Sequence, residues 1–229
     1  MTSMHPGTRR SDKDKILNIF SIIDKCYLNS TCTSLVFSSD EEAWLREGLY
    51  HSEVLSKLKN NESFESNRKA IEFLYYDIRW SAQRFGFYKN STISVQNNVL
   101  IIPIDISILA LDYQTFIDDL EKTWSVFGLK IKISNSNAGY KVKISNEPGE
   151  RAYVSHREKL MQLYAPARFS TVEHEFGHII GLRDTYYTSY DQSTCEYVDD
   201  YNEGDIMSDS GGKVLQHHID KIKQAYQVQ

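Results

Sequence analysis

The sequence predicts an α+β fold, with a helical N-terminal region over residues 1–90 and a mixed-sheet domain over residues 91–229. Up to about residue 90, apolar residues recur every three or four positions, which is the period of an amphipathic helix. Beyond that point, short apolar runs typical of strands alternate with helical segments, as in a sheet packed against helices. The first region has no side chains at metal-ligand spacing, so we interpret it as a scaffold or accessory domain.

Three helices are predicted in the N-terminal region. The first begins near Ser11, and the second begins with a capping box at Ser39 and Glu42 and continues to about Asn60. The third covers about residues 66–85. Its apolar side chains share one face, which we expect to be buried: Ile71, Leu74, Tyr75, Ile78 and Ala82.

The C-terminal region begins with a buried strand predicted over residues 98–106. Pro103 within it indicates an edge strand or a bulge, because proline has no N–H to donate to a neighbouring strand. A helix over about residues 115–127 follows and ends at Gly128. Further strands are predicted over residues 129–133, 140–144, 151–155 and 159–164.

The strands are followed by a helix that begins with a capping box at Ser170 and Glu173 and ends at Gly181. Residues 182–203 are rich in tyrosine and aspartate and have little helix or strand pattern. We therefore expect a long loop there, and such loops are usually functional or disordered. A final helix is predicted over about residues 214–226.

Charge and hydropathy exclude two classes of partner. The formal net charge of -5 argues against a nucleic-acid partner, which a strongly basic surface would indicate. No apolar run approaches the roughly 18 residues that a membrane span requires. The polar start MTSMHPGTRR does not resemble a signal peptide. We therefore expect a soluble protein without a signal peptide, exported by a specialised system if it is secreted or injected.

Cysteine usage does not indicate a disulfide framework. The chain has three cysteines, Cys26, Cys32 and Cys195, which is a low and odd number. We expect three free thiols, as in a reducing compartment. A bridge between Cys26 and Cys32 is the alternative, since the two are close in sequence.

The segment that carries chemistry reads HEFGHIIGLRD. His174 and His178 lie four positions apart, so that on a helix both imidazoles face one cation. Glu175 lies beside that cation rather than on it, where it accepts a proton from water. Gly181 permits a sharp reversal of the chain. This turn brings Asp184 under the metal as a third ligand.

Two incidental histidines on a surface helix are the alternative to a zinc site. Phe176, Ile179 and Ile180 argue against that alternative, because they bury the rest of the helix and leave the histidines toward a cleft. Catalytic zinc sites use three protein ligands and keep a fourth position open. The sequence therefore predicts a catalytic Zn²⁺, with Glu175 as the catalytic residue.

This segment resembles the extended HExxHxxGxx(H/D) motif of the metzincin metallopeptidases, which a methionine-containing turn follows. The residues Asp-Ile-Met-Ser, around Met207, are similar to that turn. The resemblance covers about residues 92–229. It implies a metzincin-like mixed sheet with an active-site helix and a C-terminal helix, and it implies that Met207 lies beneath the metal as an apolar floor.

The chain departs from the family pattern at two positions. The third ligand is Asp184, whereas most members have a histidine there. Asp209 occupies the position where some members have a tyrosine that assists the oxyanion. Tyr186 or Tyr187 would have to supply such assistance, although packing is the interpretation that we prefer for both.

Three further segments resemble the metallopeptidase toxin domains of bacterial polymorphic and Rhs-type toxins: GERAYV at 149–154, LYAP at 163–166 and MSDSGG at 207–212. The resemblance implies a bacterial effector or toxin, with an immunity or inhibitor protein as a partner. We expect a zinc-dependent endopeptidase whose protein or peptide substrate adds to an edge strand, for which residues 159–164 are the candidate. The alternatives are a partner-binding effector with a mainly structural zinc and a zinc hydrolase of non-peptide amides.

Other chemistry-bearing side chains are interpreted more simply. A group of carboxylates in and after the tyrosine-rich loop suits Ca²⁺ but lacks EF-hand spacing, so we favour a solvated acidic loop: Asp191, Glu196, Asp199, Asp200 and Asp205. Glu196 is a lesser alternative for the third zinc ligand. His217 and His218 are adjacent and point in different directions on a helix, which indicates surface or packing roles. His156 has no partner by spacing.

Overall fold

The computed structural model describes residues 8–29, 35–59, 64–106, 113–147, 150–191, 193–209 and 211–229. Its architecture is α+β, which confirms the predicted fold class. The chain divides into two compact units. The helical unit comprises Met1–Gly86 and Tyr186–Tyr201, and the sheet unit comprises Phe87–Thr185 and Asn202–Gln229.

Helices dominate the described part of the helical unit. A short 3-10 helix at Arg10–Asp12 precedes α1 (Lys13–Asn29), α2 (Ser39–Glu47), α3 (Leu49–Lys59) and α4 (Phe64–Gln83). The face predicted for the third helix is buried in α4, since none of its five apolar side chains is more than 7% exposed. It packs with the apolar faces of the other helices, including Ile16, Ile19, Ile23, Trp44 and Leu45.

The second predicted helix differs from the structure in two respects. It is two helices, because the chain becomes extended at Gly48, with φ -95 and ψ 126. The capping box is also one residue earlier. The Ser38 hydroxyl accepts the Glu41 N–H at 3.3 Å, and the Glu41 carboxylate accepts the Ser38 N–H at 2.7 Å. Both registers satisfy the Ser-x-x-Glu pattern, and burial of Glu41 in the structure distinguishes them.

The loop predicted over residues 182–203 contains a β-hairpin, so that interpretation was wrong. Strands β7 (Tyr187–Asp191) and β8 (Glu196–Asp200) pair antiparallel within the helical unit. The hairpin lacks an apolar face that sequence could detect, because β8 is exposed along its whole length. Cross-strand contacts such as Thr188 Oγ1 to Asp199 Oδ1, 2.6 Å, stabilise it instead.

The expectation of three free thiols is also wrong. Cys26 on α1 is disulfide-bonded. Cys195 is an exposed thiol in the hairpin turn, and Cys32 lies outside the described residues. The low and odd number of cysteines therefore did not predict the oxidised state of Cys26.

Six strands and three helices make up the described sheet unit. The strands are β1 (Ser94–Gln96), β2 (Val99–Asp105), β3 (Ile131–Asn135), β4 (Tyr140–Ser145), β5 (Tyr153–Ser155) and β6 (Leu160–Tyr164). The helices are α5 (Tyr113–Trp124), α6 (Phe169–Ile180) and α7 (Gln216–Tyr226). Across the described chain, no helix combines the length and apolar character needed to cross a membrane.

The sheet is mixed, with strand order β3-β2-β4-β6-β5 and with β1 added to β2. Strand β2 is central, so the edge expected from Pro103 is wrong. Pro103 pairs with Ser134 of β3 on one side. On the other side, β1 pairs with β2 only as far as Ile101 and β4 begins at Ile104. The missing N–H of proline is tolerated because it falls in the gap between those two partners.

The candidate edge strand for substrate was also misplaced. Residues 159–164 correspond to β6, which pairs parallel with β4 on one side and antiparallel with β5 on the other. The edge of the sheet on the side of β6 is β5, at Tyr153–Ser155. Sequence could not distinguish the two, because both read as short apolar strands and only strand order separates an edge from an interior.

Helix α6 lies against the sheet-unit core through Val172, Phe176, Ile179 and Ile180, which are all buried. The Phe176 and Trp124 rings lie 6.2 Å apart, so α5 contributes to the same core. The predicted capping box at Ser170 and Glu173 is absent among the described contacts, since Arg168 is the N-cap without a side-chain hydrogen bond. Apolar burial rather than a side-chain cap therefore holds the N-terminal end of α6.

Candidate metal centre

Two imidazoles and one carboxylate converge at the C-terminal half of α6. The Nε2 atoms of His174 and His178 lie 3.1 and 3.2 Å from Asp184 Oδ1. The two rings are one helical turn apart and nearly perpendicular, with centroids separated by 4.9 Å. The three ligand atoms lie within 4.8 Å of one another, so one cation can contact all of them. The structure thus brings together all three residues that the sequence predicted as ligands.

The turn that delivers Asp184 depends on Gly181. This residue has φ +121, and its N–H donates to the carbonyl oxygens of Gly177 and His178, so α6 ends there. The turn is also crowded, because a Cβ at Gly181 would lie 2.2 Å from the Tyr88 carbonyl oxygen. The Tyr88 N–H donates to the Gly181 carbonyl at 2.8 Å, which holds the two segments together.

We expect Gly181→Ala to destabilise the metal-free protein. Backbone strain of this kind costs on the order of 1–3 kcal/mol, and the clash with a carbonyl adds to it. The thermal unfolding midpoint, followed by circular dichroism, should fall by at least about 2–4 °C. Gly211→Ala is the matched control, because a Cβ there meets no atom within 4 Å. Equal midpoints for the two variants would contradict the expectation.

Backbone carbonyls fix the orientation of both imidazoles. His174 Nδ1 lies 2.7 Å from the Ile206 carbonyl oxygen, and His178 Nδ1 lies 2.9 Å from that of Leu182. A carbonyl oxygen only accepts, so each Nδ1 must carry the proton. In the neutral rings, both Nε2 atoms therefore present lone pairs to the Asp184 carboxylate. Three atoms whose lone pairs face one point form a suitable ligand set for a metal ion. Histidines oriented by backbone carbonyls are typical of such sites.

The electrostatics keep Asp184 ionised. Burial would raise the pKa of its carboxyl group, but interactions with His174 and His178 outweigh burial and hold that pKa well below its usual range. Burial likewise lowers the pKa of His178, but the Asp184 carboxylate raises it by more. Asp184 Oδ1 is buried and has no hydrogen-bond donor of good geometry among the described residues. A buried anionic oxygen without a donor suits a cation.

Glu175 lies beside this cluster and is only 5% exposed. Burial raises the pKa of its carboxyl group, while the nearby His178 and His174 oppose that shift. Glu175 Oε2 has no hydrogen-bond partner among the described residues. A buried carboxylate oxygen that makes no hydrogen bond within the protein can accept a proton, as a general base does.

Met207 packs against α6 at the level of the ligands. It is fully buried, and a Cβ at Gly177 would lie 2.4 Å from its sulfur atom. Glycine at position 177 therefore lets the methionine approach the helix backbone directly beside His178. The Met207 carbonyl accepts the Thr185 N–H at 2.8 Å, which ties the methionine turn to the residue after Asp184.

Sequence reasoning missed the side chains that cap the end of α6. The Asn90 side-chain amide donates to the Ile179 carbonyl at 3.1 Å, and the Tyr226 hydroxyl donates to the Ile180 carbonyl at 2.8 Å. The Asn90 N–H in turn donates to the Tyr226 hydroxyl at 3.0 Å. No local pattern signals such caps, because they come from elements distant in sequence.

The remaining acidic candidates lie in two places. Of the five acidic residues that the sequence grouped, four lie in the β7–β8 hairpin and Asp205 is fully buried in the sheet unit. The expectation of a solvated loop is therefore wrong for Asp205. Glu196 pairs with Asp191 across the hairpin. The described residues contain two groups of side chains that could hold a metal, and Glu196 belongs to neither. The second group is Asp205, His217 and His218.

His156, which the sequence left without a partner, is held in an aromatic cluster. Its ring stacks on Tyr88 at 4.0 Å, and its Nδ1 lies 2.7 Å from the Tyr140 hydroxyl. Burial, followed by the positive charges of Arg183 and His178, lowers the pKa of His156 from 6.5 to about 4. The native ring is therefore neutral at pH values at which an unfolded one is charged.

This shift predicts a pH dependence of stability. Between about pH 6.5 and 4 the unfolded state binds a proton at His156 that the native state does not, so native stability falls as the pH falls through that window. His156→Gln should reduce that fall, measured as the difference in urea midpoint between pH 7.5 and 5. Both proteins are measured without metal, so titration of the ligand histidines is common to both. Identical differences would contradict the prediction.

Comparison of the chain with protein-family models, with curated proteins and with solved structures gives no match.

Proposed function

We propose that this chain is a zinc-dependent endopeptidase in which His174, His178 and Asp184 hold the metal and Glu175 is the general base. One observation carries the proposal. Two imidazole Nε2 atoms, whose Nδ1 protons are committed to backbone carbonyls, face a single buried carboxylate oxygen at 3.1 and 3.2 Å. In the neutral rings all three atoms are acceptors, and one bound cation would satisfy them together.

The donor set favours zinc over the hard cations. Calcium and magnesium prefer sites built from oxygen atoms, whereas two imidazoles and one carboxylate are common ligands of catalytic zinc. Three protein ligands leave a fourth position open, which distinguishes a catalytic site from a closed structural one. Of the two metal-capable groups in the described chain, this one has both imidazole Nε2 atoms within 3.2 Å of the same carboxylate oxygen and both Nδ1 atoms bound to carbonyls.

Zinc in this site would polarise a scissile carbonyl and lower the pKa of water. Glu175 then accepts one proton from the attacking water while the water oxygen bonds to the carbonyl carbon. As the carbon–nitrogen bond breaks, Glu175 returns that proton to the leaving amine. Its burial suits both transfers, as does the lack of a hydrogen bond from any described residue to its Oε2.

An extended substrate would pair with the free edge of β5. Peptides commonly add a strand to an exposed sheet edge, and β5 is the end of the strand order. Arg151, just before β5, is close enough to Glu175 to influence its pKa. This proximity supports a substrate path that runs along β5 toward the general base.

The biological setting that we propose follows the sequence resemblance alone. It is a bacterial effector or toxin that cleaves a protein in another cell and is neutralised by an immunity or inhibitor protein. A mainly structural zinc in a partner-binding effector, and hydrolysis of a non-peptide amide, are outcomes that the following experiment separates from this proposal.

Chelation tests the proposed function. We expect 1,10-phenanthroline to abolish cleavage of unfolded protein substrates, and a small molar excess of Zn²⁺ to restore it. Circular dichroism before and after chelation should show that the helix content is kept. Labelling of new N-termini in a cell lysate then identifies the cleaved proteins. Cleavage that persists at full rate in the metal-free protein would refute the proposal, as would exclusive turnover of small amides.

A further inference from the structure

Among the described residues outside the candidate metal cluster, the most deeply buried carboxylate is that of Asp205, which is 0% exposed. Three hydrogen-bond donors surround its carboxylate, and one imidazole nitrogen lies close to it. The Met207 N–H donates to Oδ1 at 2.8 Å, and the Thr185 hydroxyl and the Asn202 amide donate to Oδ2 at 2.8 and 3.1 Å. His218 Nε2 lies 3.0 Å from Oδ1. These hydrogen bonds hold the pKa of Asp205 well below its usual range, although burial alone would raise it.

Asp205, His217 and His218 have the composition of a second metal site, but their hydrogen bonds argue against one. The Leu215 N–H donates to His218 Nδ1 at 3.0 Å, so Nδ1 is unprotonated and Nε2 carries the proton. In the neutral ring His218 Nε2 therefore has no lone pair for a metal, and it lies 3.0 Å from Asp205 Oδ1. His217 is exposed and lies 3.6 Å from the carboxylate. The cluster is a hydrogen-bond network centred on Asp205.

This network leads directly to two ligands of the metal site. The residue after Asp205 is Ile206, whose carbonyl accepts the His174 Nδ1–H at 2.7 Å. Thr185 follows Asp184, and its hydroxyl is bound to Asp205 Oδ2. The Asp205 carboxylate thus binds the turn whose Ile206 carbonyl orients His174. It also binds Thr185, the residue next to Asp184.

We infer that Asp205 and His218 are positioning residues for the metal centre. Asp205 holds the 205–207 turn and Thr185 in one geometry, and the close contact between its Oδ1 and His218 Nε2 joins Asp205 to α7. Without this contact the Ile206 carbonyl would no longer be held opposite His174 Nδ1, and the ring would lose its orientation. The inference rests on the proposed zinc site. It explains the orientation of a ligand through two residues that are not themselves ligands.

Metal affinity and a spectrum test the inference without an assay of hydrolysis. We expect Asp205→Asn to bind Zn²⁺ about tenfold or more weakly in competition with a chromophoric chelator, because loss of outer-shell support typically costs roughly 10–100-fold. The visible ligand-field bands of the Co²⁺-loaded variant should also shift from those of the wild type. A merely stabilising role would lower the unfolding midpoint and leave both readouts unchanged.

Substitutions at His218 keep the test decisive if Asp205→Asn does not fold. The amide of His218→Gln can still donate to Asp205, so we expect near-normal affinity and an unshifted spectrum, whereas His218→Leu should resemble Asp205→Asn. His217→Gln, at the exposed neighbouring position, is the matched control. Equal affinities and spectra for wild type, His218→Gln and His218→Leu would overturn the inference. A wild type that binds neither Zn²⁺ nor Co²⁺ would instead refute the proposed function itself.

Discussion

Glu175→Gln is expected to abolish hydrolysis and leave zinc binding intact. The amide has nearly the shape of the carboxylate but cannot accept a proton, and general acid–base catalysis contributes roughly 10²–10⁴-fold to rates. Because Glu175 Oε2 makes no hydrogen bond within the described chain, little structural support is lost with its charge. The measurement is cleavage of a protein substrate at saturating Zn²⁺, together with metal stoichiometry by mass spectrometry.

Glu203→Gln is the control for this substitution. Glu203 is an exposed carboxylate in the same unit, so the loss of one negative charge is matched without a change in the buried site. We expect wild-type cleavage for the control. A Glu175→Gln protein that cleaves at the wild-type rate would remove the general-base assignment, even if zinc is bound as proposed.

Asp184→Ala is expected to have the largest effect on metal binding. Removing the carboxylate leaves two imidazoles, and the loss in Zn²⁺ affinity should exceed the roughly 10–100-fold that an outer-shell change costs. Zinc that binds the native state alone raises its stability by about 2.7 kcal/mol at a concentration 100 times its dissociation constant. We therefore expect Zn²⁺ to raise the thermal midpoint of the wild type and to leave that of Asp184→Ala nearly unchanged.

Asp220→Ala is the matched control, because Asp220 is an exposed aspartate on α7 of the same unit. It should respond to Zn²⁺ like the wild type. If Asp184→Ala binds Zn²⁺ with wild-type affinity, another group completes the coordination and the HExxHxxGxxD interpretation fails. Together the two substitutions separate the roles, since Glu175→Gln should keep the metal and Asp184→Ala should lose it.

A mainly structural zinc would produce a different pattern in the same measurements. Asp184→Ala would then lower stability and metal content, while Glu175→Gln would change neither partner binding nor any activity. The burial of Glu175 beside the ligands is the feature that such a role leaves unexplained. The pair of substitutions thus distinguishes a catalytic zinc from a structural one. It also separates the role of Glu175 from that of Asp184.

Periodic features explain why much of the fold was predictable. The buried faces of α4, α6 and α7 depend on residues three or four positions apart, which lie together on any helix. Where two registers satisfied the same pattern, as with Ser38 and Ser39, only burial of Glu41 in the folded chain distinguished them.

Strand order and solvation were not predictable in the same way. Pro103 read as an edge residue, yet it lies in a central strand because two partners share the opposite side of β2 without meeting at that position. The β7–β8 hairpin was missed because an exposed strand has no apolar alternation to detect. Both errors concern which neighbours a strand acquires, and distant parts of the chain decide that.

The amino-acid sequence was enough to predict that His174, His178 and Asp184 converge, because one helix and the turn at Gly181 bring them together. The orientation of the two imidazoles depends instead on the folding of the whole sheet unit. The acceptor for His174 Nδ1 is 32 residues away, and the cap on Ile179 comes from 89 residues away. Local geometry is fixed by bond lengths and helix period, whereas contacts between distant segments form only when the whole core packs.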